Sequence, residues 1–245
     1  MKCLILAAGY ATRLYPLTEN FPKPLLSVQG KTILDHLLDD IEKTGAVSEY
    51  VVISNHKFAR HFEEWAKSKP YKITVVDDGT ESNETRLGAV KDIQFALRQL
   101  SIYEDCLVIA GDNLLEFSLK HFISYAKSKK SSCVMRYFEP SKERLKKCGV
   151  LTVSKDDLIT DMTEKPQDPQ SHWCCPPFYF FTKEDIKVID TAIESGCETD
   201  APGSFIAWLC KKTSVYAMEM PGRRFDIGTL ESYENVKKEY KGVMI

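Results

Sequence analysis

Two aspartates stand directly after apolar, strand-like runs, at positions that could let them share a metal ion. Asp112 lies in Gly111-Asp112-Asn113, and Asp226 opens the segment Asp226-Ile227-Gly228-Thr229. Mg²⁺ prefers carboxylate, phosphate and water oxygens. If both strands end at one edge of a sheet, the two carboxylates would meet around one ion. The plainer alternatives are a turn-forming aspartate at Asp112 and, at Asp226, a residue that caps the turn into the last helix.

A turn of small residues follows the first apolar run, and two basic residues come soon after it. The turn is Ala7-Ala8-Gly9, and the basic residues are Arg13 and Lys23. Small side chains let backbone N–H groups approach an anion closely, and the two cations would neutralise a triphosphate. An ordinary surface loop with two solvated basic side chains is the alternative. The dinucleotide fingerprint GxGxxG is absent, because Ala11 and Leu14 stand where its second and third glycines belong.

The combined pattern is far more specific than its parts. The first segment reads Ala8-Gly9-x-x-Thr12-Arg13-Leu14-x-Pro16-Leu17-Thr18, followed by Pro22-Lys23-Pro24-Leu25. It resembles the signature of the sugar-phosphate nucleotidyltransferases, in particular the glucose-1-phosphate thymidylyl- and uridylyltransferases, which join a nucleoside triphosphate to a sugar 1-phosphate. The resemblance covers nearly the whole chain, because three later segments match in order: Gly111-Asp112-Asn113, Glu164-Lys165-Pro166 and Phe225-Asp226-Ile227-Gly228-Thr229.

This resemblance implies a Mg²⁺-dependent reaction in which a nucleotidyl group passes to the acceptor phosphate and pyrophosphate leaves. It implies that Asp112 and Asp226 bind the metal and that Arg13 and Lys23 are the catalytic cations. The implied nucleotide-binding residues are Ala7, Ala8, Gly9, Thr12, Arg13, Asn83 and Gly88. The implied acceptor-binding residues are Asn113, Glu164 and Lys165. The expected partners are therefore a nucleoside triphosphate and a sugar 1-phosphate, with no nucleic acid and no membrane.

The chain departs from the family pattern in two places. The segment that should contact the base contains Gly88 but no glutamine, and Asn83, Glu84 or Arg86 are the candidates to replace it. This departure leaves the choice among UTP, dTTP, CTP and GTP open. The second departure is Tyr10-Ala11, where many relatives carry a glycine. Alanine is small enough for that place, and we expect Tyr10 to point away from the phosphates.

Two other functions remain as alternatives. The first is a cytidylyltransferase that acts on a non-sugar phosphate or phosphonate such as phosphocholine, since such enzymes share the first motif. Glu164-Lys165-Pro166 favours a sugar acceptor instead. The second is a catalytically silent homologue that only binds nucleotide-sugars. The presence of Lys23 and of both aspartates argues against that alternative.

Hydrophobic periodicity predicts an α/β fold, a Rossmann-like three-layer α/β/α sandwich with a mixed, mostly parallel sheet. In the first half, strands are predicted at Cys3–Leu6, Tyr50–Ser54, Ile73–Val76 and Cys106–Ala110, and helices at Thr32–Thr44, Lys57–Lys67, Ala89–Leu100 and Ser118–Lys127. The second half is less regular, with a partly antiparallel set of strands at Cys133–Phe138, Val150–Val153, Leu158–Met162, Phe178–Phe181 and Val215–Met220. Helices are predicted there at Lys183–Ser195, Gly203–Lys211 and Leu230–Tyr240.

Net charge, length and cysteine content limit the classes of protein to which the chain can belong. The 245 residues carry a net charge of −2, so a general nucleic-acid binder with a strongly basic face is disfavoured. We expect one nucleotidyltransferase domain over residues 1–245, with a nucleotide-binding part to about residue 130 and an acceptor-binding part from about 131. The eight cysteines have no CxxC spacing, so free thiols and a reducing cytoplasmic location are expected. The oligomeric state stays open.

Overall fold

A computed structural model describes residues 1–243. Its strands are β1 (Lys2–Leu6), β2 (Ser27–Val28), β3 (Lys31–Thr32), β4 (Glu49–Ser54), β5 (Ile73–Asp77), β6 (Cys106–Ala110), β7 (Asn113–Leu115), β8 (Ser132–Phe138), β9 (Gly149–Val153), β10 (Ile159–Glu164), β11 (Trp173–Cys175), β12 (Phe178–Phe181), β13 (Val215–Glu219) and β14 (Arg224–Asp226). Its helices are α1 (Ile33–Glu42), α2 (His56–Lys67), α3 (Ala89–Gln99), α4 (Lys120–Lys129), α5 (Lys142–Leu145), α6 (Lys183–Ile186), α7 (Ile189–Glu194), α8 (Gly203–Leu209) and α9 (Leu230–Glu239).

The chain forms two compact units, each built from separate stretches of sequence. The first unit comprises Met1–Arg86, Ala110–His121 and the chain from Pro221 onward, and the second comprises Leu87–Ile109 and Phe122–Met220. In the first unit, β4 pairs in parallel with both β1 and β5. A separate ribbon pairs β14 with β7 in antiparallel register.

The second unit carries most of the antiparallel pairing. There β12 pairs with β6 and β8, and β11 pairs with β8 and β9. The edge strand β10 pairs with β9, while β13 adds to β8 in parallel. The predicted α/β fold with a mixed sheet is thus confirmed, and the antiparallel strands fall in the second half as predicted. The prediction of a single domain remains a prediction.

Helix α1 begins and ends close to the positions that the local sequence predicts. The Thr32 side chain accepts from the Asp35 backbone N–H, and the Asp35 carboxylate accepts from the Thr32 backbone N–H. This reciprocal capping box satisfies two N–H groups that the first helical turn leaves without partners. The helix ends at Glu42, and Gly45 follows in a left-handed conformation with φ of 61°.

One predicted helix is wrong in extent. Lys183–Ser195 forms two short helices, α6 and α7, because the backbone of Val188 (φ −87°, ψ 9°) leaves the α-helical region between them. The sequence analysis also missed several strands of two or three residues, which are too short to show an alternating pattern. These missed strands are β2, β3, β7, β11 and β14.

All eight cysteines lie within the described residues and are free thiols, as predicted. Among residues 1–243, no helix combines the length and the apolar character that crossing a bilayer requires.

Candidate active site

The loop after β1 is held by its neighbours in the first unit. The Ala7 N–H donates to the carbonyl of Ile53 at 2.9 Å, and the Ala8 carbonyl accepts from Asn55 Nδ2 at 2.9 Å. Asn55 is fully buried, and its Oδ1 also caps α2 by accepting from the Phe58 N–H. The sequence analysis missed Asn55, although an asparagine between a strand and a helix is a typical N-cap.

Ala11 adopts a left-handed backbone conformation, with φ of 47° and ψ of 41°. The buried Thr18 hydroxyl donates to the Ala11 carbonyl at 2.8 Å and stabilises this turn. Glycine adopts such a conformation at little cost, which gives a conformational reason for the family's glycine here, in addition to its small size. Tyr10 points into the protein as expected, since it is 5% exposed and its hydroxyl donates to the Thr80 carbonyl.

The loop forms one side of a cavity of about 180 Å³. Arg13 lies on its wall, and the Arg13 guanidinium is 3.7 Å from where a Cβ on Gly228 would stand. A Cβ added at Gly9 would meet no described atom within 4 Å, so this backbone is open. The remaining lining residues are Leu6, Ala7, Ala11, Leu14, Lys23, Pro24, Ala110 and Asp112.

A close backbone approach brings Asp112 to this cavity. The Gly111 N–H donates to the Leu6 carbonyl at 3.0 Å, and a Cβ on Gly111 would stand 3.0 Å from Ile5 Cγ2. A side chain at residue 111 would require the buried Ile5 side chain to shift by a few tenths of an ångström, so glycine suits this close approach to Leu6. The Lys23 side chain is almost fully buried, and its Nζ donates to Asp112 Oδ2 at 2.6 Å.

The ribbon of β7 and β14 places the second aspartate opposite the residue that follows the first. Asp226 pairs in register with Asn113, the residue next to Asp112. Phe225 and Ile227 are buried in the core of this unit, together with Leu14 and Leu114. Because side chains alternate along a strand, Asp226 between them faces the opposite side and is 58% exposed.

Hydrogen bonds link these groups into a chain. Asn113 Nδ2 donates to Asp112 Oδ1 at 2.7 Å, and Arg224 Nη1 donates to Asn113 Oδ1 at 2.5 Å. Arg224 Nη1 also lies 3.7 Å from Asp226 Oδ2. Arg224 was missed by the sequence analysis, since nothing in the sequence shows that its short strand pairs with β7.

The charges around Asp112 keep it ionised. Burial raises the pKa of the Asp112 carboxyl, but the ammonium group of Lys23 and the guanidinium group of Arg224 outweigh burial and hold that pKa below its usual value. Asp112 therefore presents a carboxylate that accepts hydrogen bonds from Lys23 and Asn113 and keeps further lone pairs for a cation.

Not every predicted nucleotide-binding residue reaches the cavity. Ala7, Gly9 and Arg13 line it, whereas Ala8, Thr12 and Asn83 are absent from its described walls. Asn83 lies in an exposed turn of the same unit, where its carbonyl accepts from Arg86 Nη1 at 2.8 Å.

In the second unit, Glu164 lies in a space left by two glycines. A Cβ would stand 2.8 Å from Glu164 Oε2 if placed on Gly149 and 2.3 Å if placed on Gly203. Burial raises the pKa of Glu164 to about 7, against the opposing effect of Lys165. Glu164 thus titrates near neutrality.

Lys165 follows at a sharp turn. Its φ is 47°, and its backbone N–H donates to the Cys148 carbonyl at 3.0 Å. The side chain is half exposed, and its ammonium group lies 3.5 Å from Asp200 Oδ2. The structure thus holds Glu164 and Lys165 in the second unit, with Asp200 as the ion-pair partner of Lys165.

Gly88 begins helix α3 in the second unit, with φ of 91°. A Cβ there would stand 2.5 Å from the Thr199 carbonyl oxygen. The next two N–H groups, of Ala89 and Val90, donate to the carbonyls of Asp200 and Thr199 at 3.1 and 3.0 Å. In this structure Gly88 therefore allows a close approach of backbone to backbone, whatever its role toward a base.

Residues 2–242 match the nucleotidyl transferase family. The chain belongs to this family. Within it, the chain is 29% identical over 243 residues to UTP–glucose-1-phosphate uridylyltransferase AglF of Haloferax volcanii, covering 97% of this chain and 96% of that protein. It is 28% identical to the bifunctional protein GlmU of Methanocaldococcus jannaschii over 93% of this chain, and it spans 51% of that longer protein.

The fold agrees with this membership. A crystal structure of UDP-glucose pyrophosphorylase complexed with UDP-glucose superposes with a TM-score of 0.82, at 21% identity, covering 98% of this chain and 97% of the other. The family match confirms the predicted family and the enzyme class, a nucleotidyltransferase, and the superposition confirms the predicted α/β fold class.

Proposed function

We propose that this protein uses Mg²⁺ to transfer a uridylyl group from UTP to a hexose 1-phosphate, with glucose 1-phosphate as the first candidate. The observation that carries the proposal is the pairing of Lys23 with Asp112 on the wall of a cavity that Arg13 and Gly9 also line. The choice of UTP and glucose follows from the name of AglF and from the UDP-glucose complex of the structural relative.

The side chains suit a magnesium ion. Asp226 ends β14, and Asp112 directly precedes β7, the strand that pairs with β14, so the two aspartates would supply two carboxylates. Within residues 1–243 no group of three or more His, Cys, Asp or Glu forms a metal site of its own. Mg²⁺ commonly binds through one or two carboxylates and takes its other ligands from water and substrate phosphates, so this sparse set fits it. The bound ion would neutralise charge on the phosphate oxygens.

The chain's own cations have separate tasks in this reaction. An acceptor phosphate oxygen forms a bond to the α-phosphorus, and the bond to pyrophosphate breaks. Both reactants are anions, so Lys23 would balance charge at the α-phosphate, and Arg13 would hold the departing pyrophosphate. Lys165 would bind the acceptor phosphate, and Glu164 the sugar hydroxyls. Ala7, Ala8, Gly9 and Thr12 would lie along the triphosphate, with Asn83 and Gly88 toward the base and Asn113 toward the acceptor.

A substrate matrix tests the proposal. Four nucleoside triphosphates are combined with several sugar 1-phosphates and phosphocholine, with and without Mg²⁺, and pyrophosphate release is measured. We expect UTP with glucose 1-phosphate and Mg²⁺ to give the highest kcat/KM. Turnover only with CTP and phosphocholine, or equal turnover in excess chelator, would contradict it. The same assay would show a silent homologue, which releases no pyrophosphate with any pair. The free thiols suit a reducing compartment, and a cytoplasmic location is part of the proposal.

A further inference from the structure

Arg224 contacts Asp226 of the proposed metal site and Asn113, the residue that donates to Asp112. On the ribbon, Arg224 is opposite Leu115, and Asp226 is opposite Asn113. Residues two apart on a strand share a face, so the side chains of Arg224, Asp226 and Asn113 point to the same side of the ribbon. The Arg224 side chain is 13% exposed, which makes it one of the more buried cations of this unit.

The guanidinium group determines which way the Asn113 amide points. Arginine only donates hydrogen bonds, and an ionised carboxylate only accepts them. Asn113 lies between the two, so its Oδ1 faces Arg224 and its Nδ2 faces Asp112. Asn113 is 1% exposed, so water offers little replacement for either partner. Arg224 therefore orients the group that donates to Asp112 Oδ1.

The same guanidinium group affects the charge of the site. Asp112 has Lys23 at 2.6 Å, and Asp226 has Arg224 at 3.7 Å. Each carboxylate of the pair thus has a cation of the chain beside it, and both cations are largely buried. The two cations already balance the negative potential of the carboxylates, so a divalent ion without nucleotide is attracted only weakly. A bound triphosphate would add anionic oxygens that interact with the same two cations.

We propose that Arg224 is a positioning residue of the reaction, which orients Asn113 and keeps the affinity of the two aspartates for a bare divalent ion low. The metal then binds tightly only together with the triphosphate. This inference deepens the proposed function and rests on it, because it takes Asp112 and Asp226 as the metal carboxylates. A purely structural Arg224 would instead only join β14 to β7.

Two substitutions separate these roles. Arg224→Gln keeps a donor for Asn113 Oδ1 and removes the charge, whereas Arg224→Lys keeps the charge and removes the two-armed guanidinium group. The matched control is Arg223→Gln, since Arg223 is 62% exposed and pairs with Glu239 and Glu116. Binding of Mn²⁺ is measured by electron paramagnetic resonance of the free ion, with and without a non-hydrolysable UTP analogue, alongside kcat with Mg²⁺ and a ligand-free melt.

We expect Arg224→Gln to bind Mn²⁺ alone about tenfold more tightly than the parent protein, because a neighbouring positive charge is gone. The tightening that the triphosphate analogue confers should shrink by a similar factor. Arg224→Lys should keep the weak binding of bare Mn²⁺ but lose turnover, and Arg223→Gln should match the parent in both.

Other outcomes overturn the proposal. Unchanged or weaker binding of bare Mn²⁺ by a folded Arg224→Gln protein would show that the charge does not control the metal. If Arg224→Gln does not fold, Arg224→Lys still decides, since tighter binding of bare Mn²⁺ by that variant contradicts the proposal. A parent protein that binds no Mn²⁺ with the analogue and releases no pyrophosphate would instead contradict the proposed function itself.

Discussion

Lys23 is nearly inaccessible to solvent, and its ammonium group contacts the carboxylate of Asp112. This contact places a positive charge at the wall of the cavity before any phosphate arrives. Charge held in place in this way stabilises a transition state more than a mobile surface lysine would, because no reorganisation is needed during the reaction.

We therefore expect Lys23→Ala to lower kcat by about 10²–10³, with a smaller rise in the KM for the triphosphate, since removing one such contact typically has this effect. Steady-state pyrophosphate release measures both constants. Lys31→Ala is the control, because Lys31 is 55% exposed and pairs with Asp39. Near-normal turnover of folded Lys23→Ala would remove Lys23 from the reaction.

Glu164 is the residue whose ionisation we expect to affect stability near neutral pH. Its pKa rises from the usual 4.5 to about 7, chiefly through burial. The titratable groups near it are Lys165, which opposes the rise, and Cys148, Glu198 and Asp200, which add to it. The buried thiol of Cys175 also lies near it. At pH values between the usual pKa of 4.5 and the raised pKa of about 7, Glu164 keeps its proton in the folded protein and loses it in the unfolded chain. The free energy of unfolding therefore falls as pH rises through this range.

We expect the free energy of unfolding to fall by about 1–3 kcal/mol between pH values near 5 and 8. The Glu164→Gln variant should not show this fall. Urea unfolding of both proteins at each pH measures the difference, which should grow with pH in favour of the glutamine variant. Parallel pH dependences of the two proteins would mean that Glu164 is ionised normally in the folded state.

Among the residues that the contiguous sequence motifs pointed to, Arg13, Lys23 and Asp112 line one cavity together with Ala7 and Gly9. Their catalytic and metal-binding roles remain predictions. Asn55 and Arg224 were not predicted, because their roles come from contacts with segments 47 and 111 residues away along the chain. No local pattern records such contacts.

The start of helix α3 depends on a backbone contact more than on a side-chain cap. Gly88 has φ of 91°, and the space for a Cβ is taken by the Thr199 carbonyl. The N–H groups of the first turn donate to the segment that also holds Asp200, the partner of Lys165. One glycine thus lets helix α3 join the loop that supports Lys165.

We expect Gly88→Ala to destabilise the protein by more than the ~1 kcal/mol that a left-handed alanine alone costs, because the clash at 2.5 Å forces the backbone to move. The matched variant is Gly196→Ala, where φ is 89° but no described atom lies within 4 Å of the added Cβ. Thermal unfolding of both variants measures the difference. An equal loss in the two would show that strain in φ, and not the close approach, makes glycine necessary at residue 88.

Helices and strands were predicted correctly where the hydrophobic pattern extends over enough residues to show its period. Helix α1 and strand β12 lie where the apolar pattern put them. The ribbon of β7 and β14 was missed because each strand has three residues, although it presents Asp226 beside Asn113. The hairpin of β2 and β3 was missed as well, despite Gln29-Gly30, whose φ values of 50° and 78° suit a two-residue turn.

At the scale of the whole molecule, the sequence predicted an α/β fold with parallel strands early and antiparallel strands later, and both features are present. The interleaving of the two units was not predicted. It arises because residues 110–121 and the chain from 221 return to the first unit after the chain has entered the second. Sequence order alone does not show such returns, since they depend on long-range packing.

The proposed reaction also predicts how the whole protein responds to its ligands. A ligand that binds only the folded state stabilises it by ~2.7 kcal/mol at a hundredfold excess over its Kd. For a chain of this length, each kcal/mol raises the melting temperature by roughly 2–4 °C, so UTP with Mg²⁺ should raise it by about 5–10 °C. Differential scanning fluorimetry with each of the four triphosphates measures the shift, and the other three should give smaller ones.

The Mg²⁺-dependent part of that shift should depend on Asp112. The Asp112→Asn side chain keeps its shape but loses the negative charge that would attract both Lys23 and the metal ion. The rise in melting temperature with UTP and Mg²⁺ should therefore fall to the rise seen with UTP in excess chelator. The ligand-free melting temperature of the variant guards against simple unfolding. Asp40→Asn is the comparison, because Asp40 is a buried aspartate of the same unit whose Oδ2 accepts from the Leu119 N–H, apart from the cavity that Asp112 lines. If Asp112→Asn kept the full Mg²⁺-dependent shift while Asp40→Asn also kept it, the carboxylate of Asp112 would serve the turn after β6 and the metal would bind elsewhere.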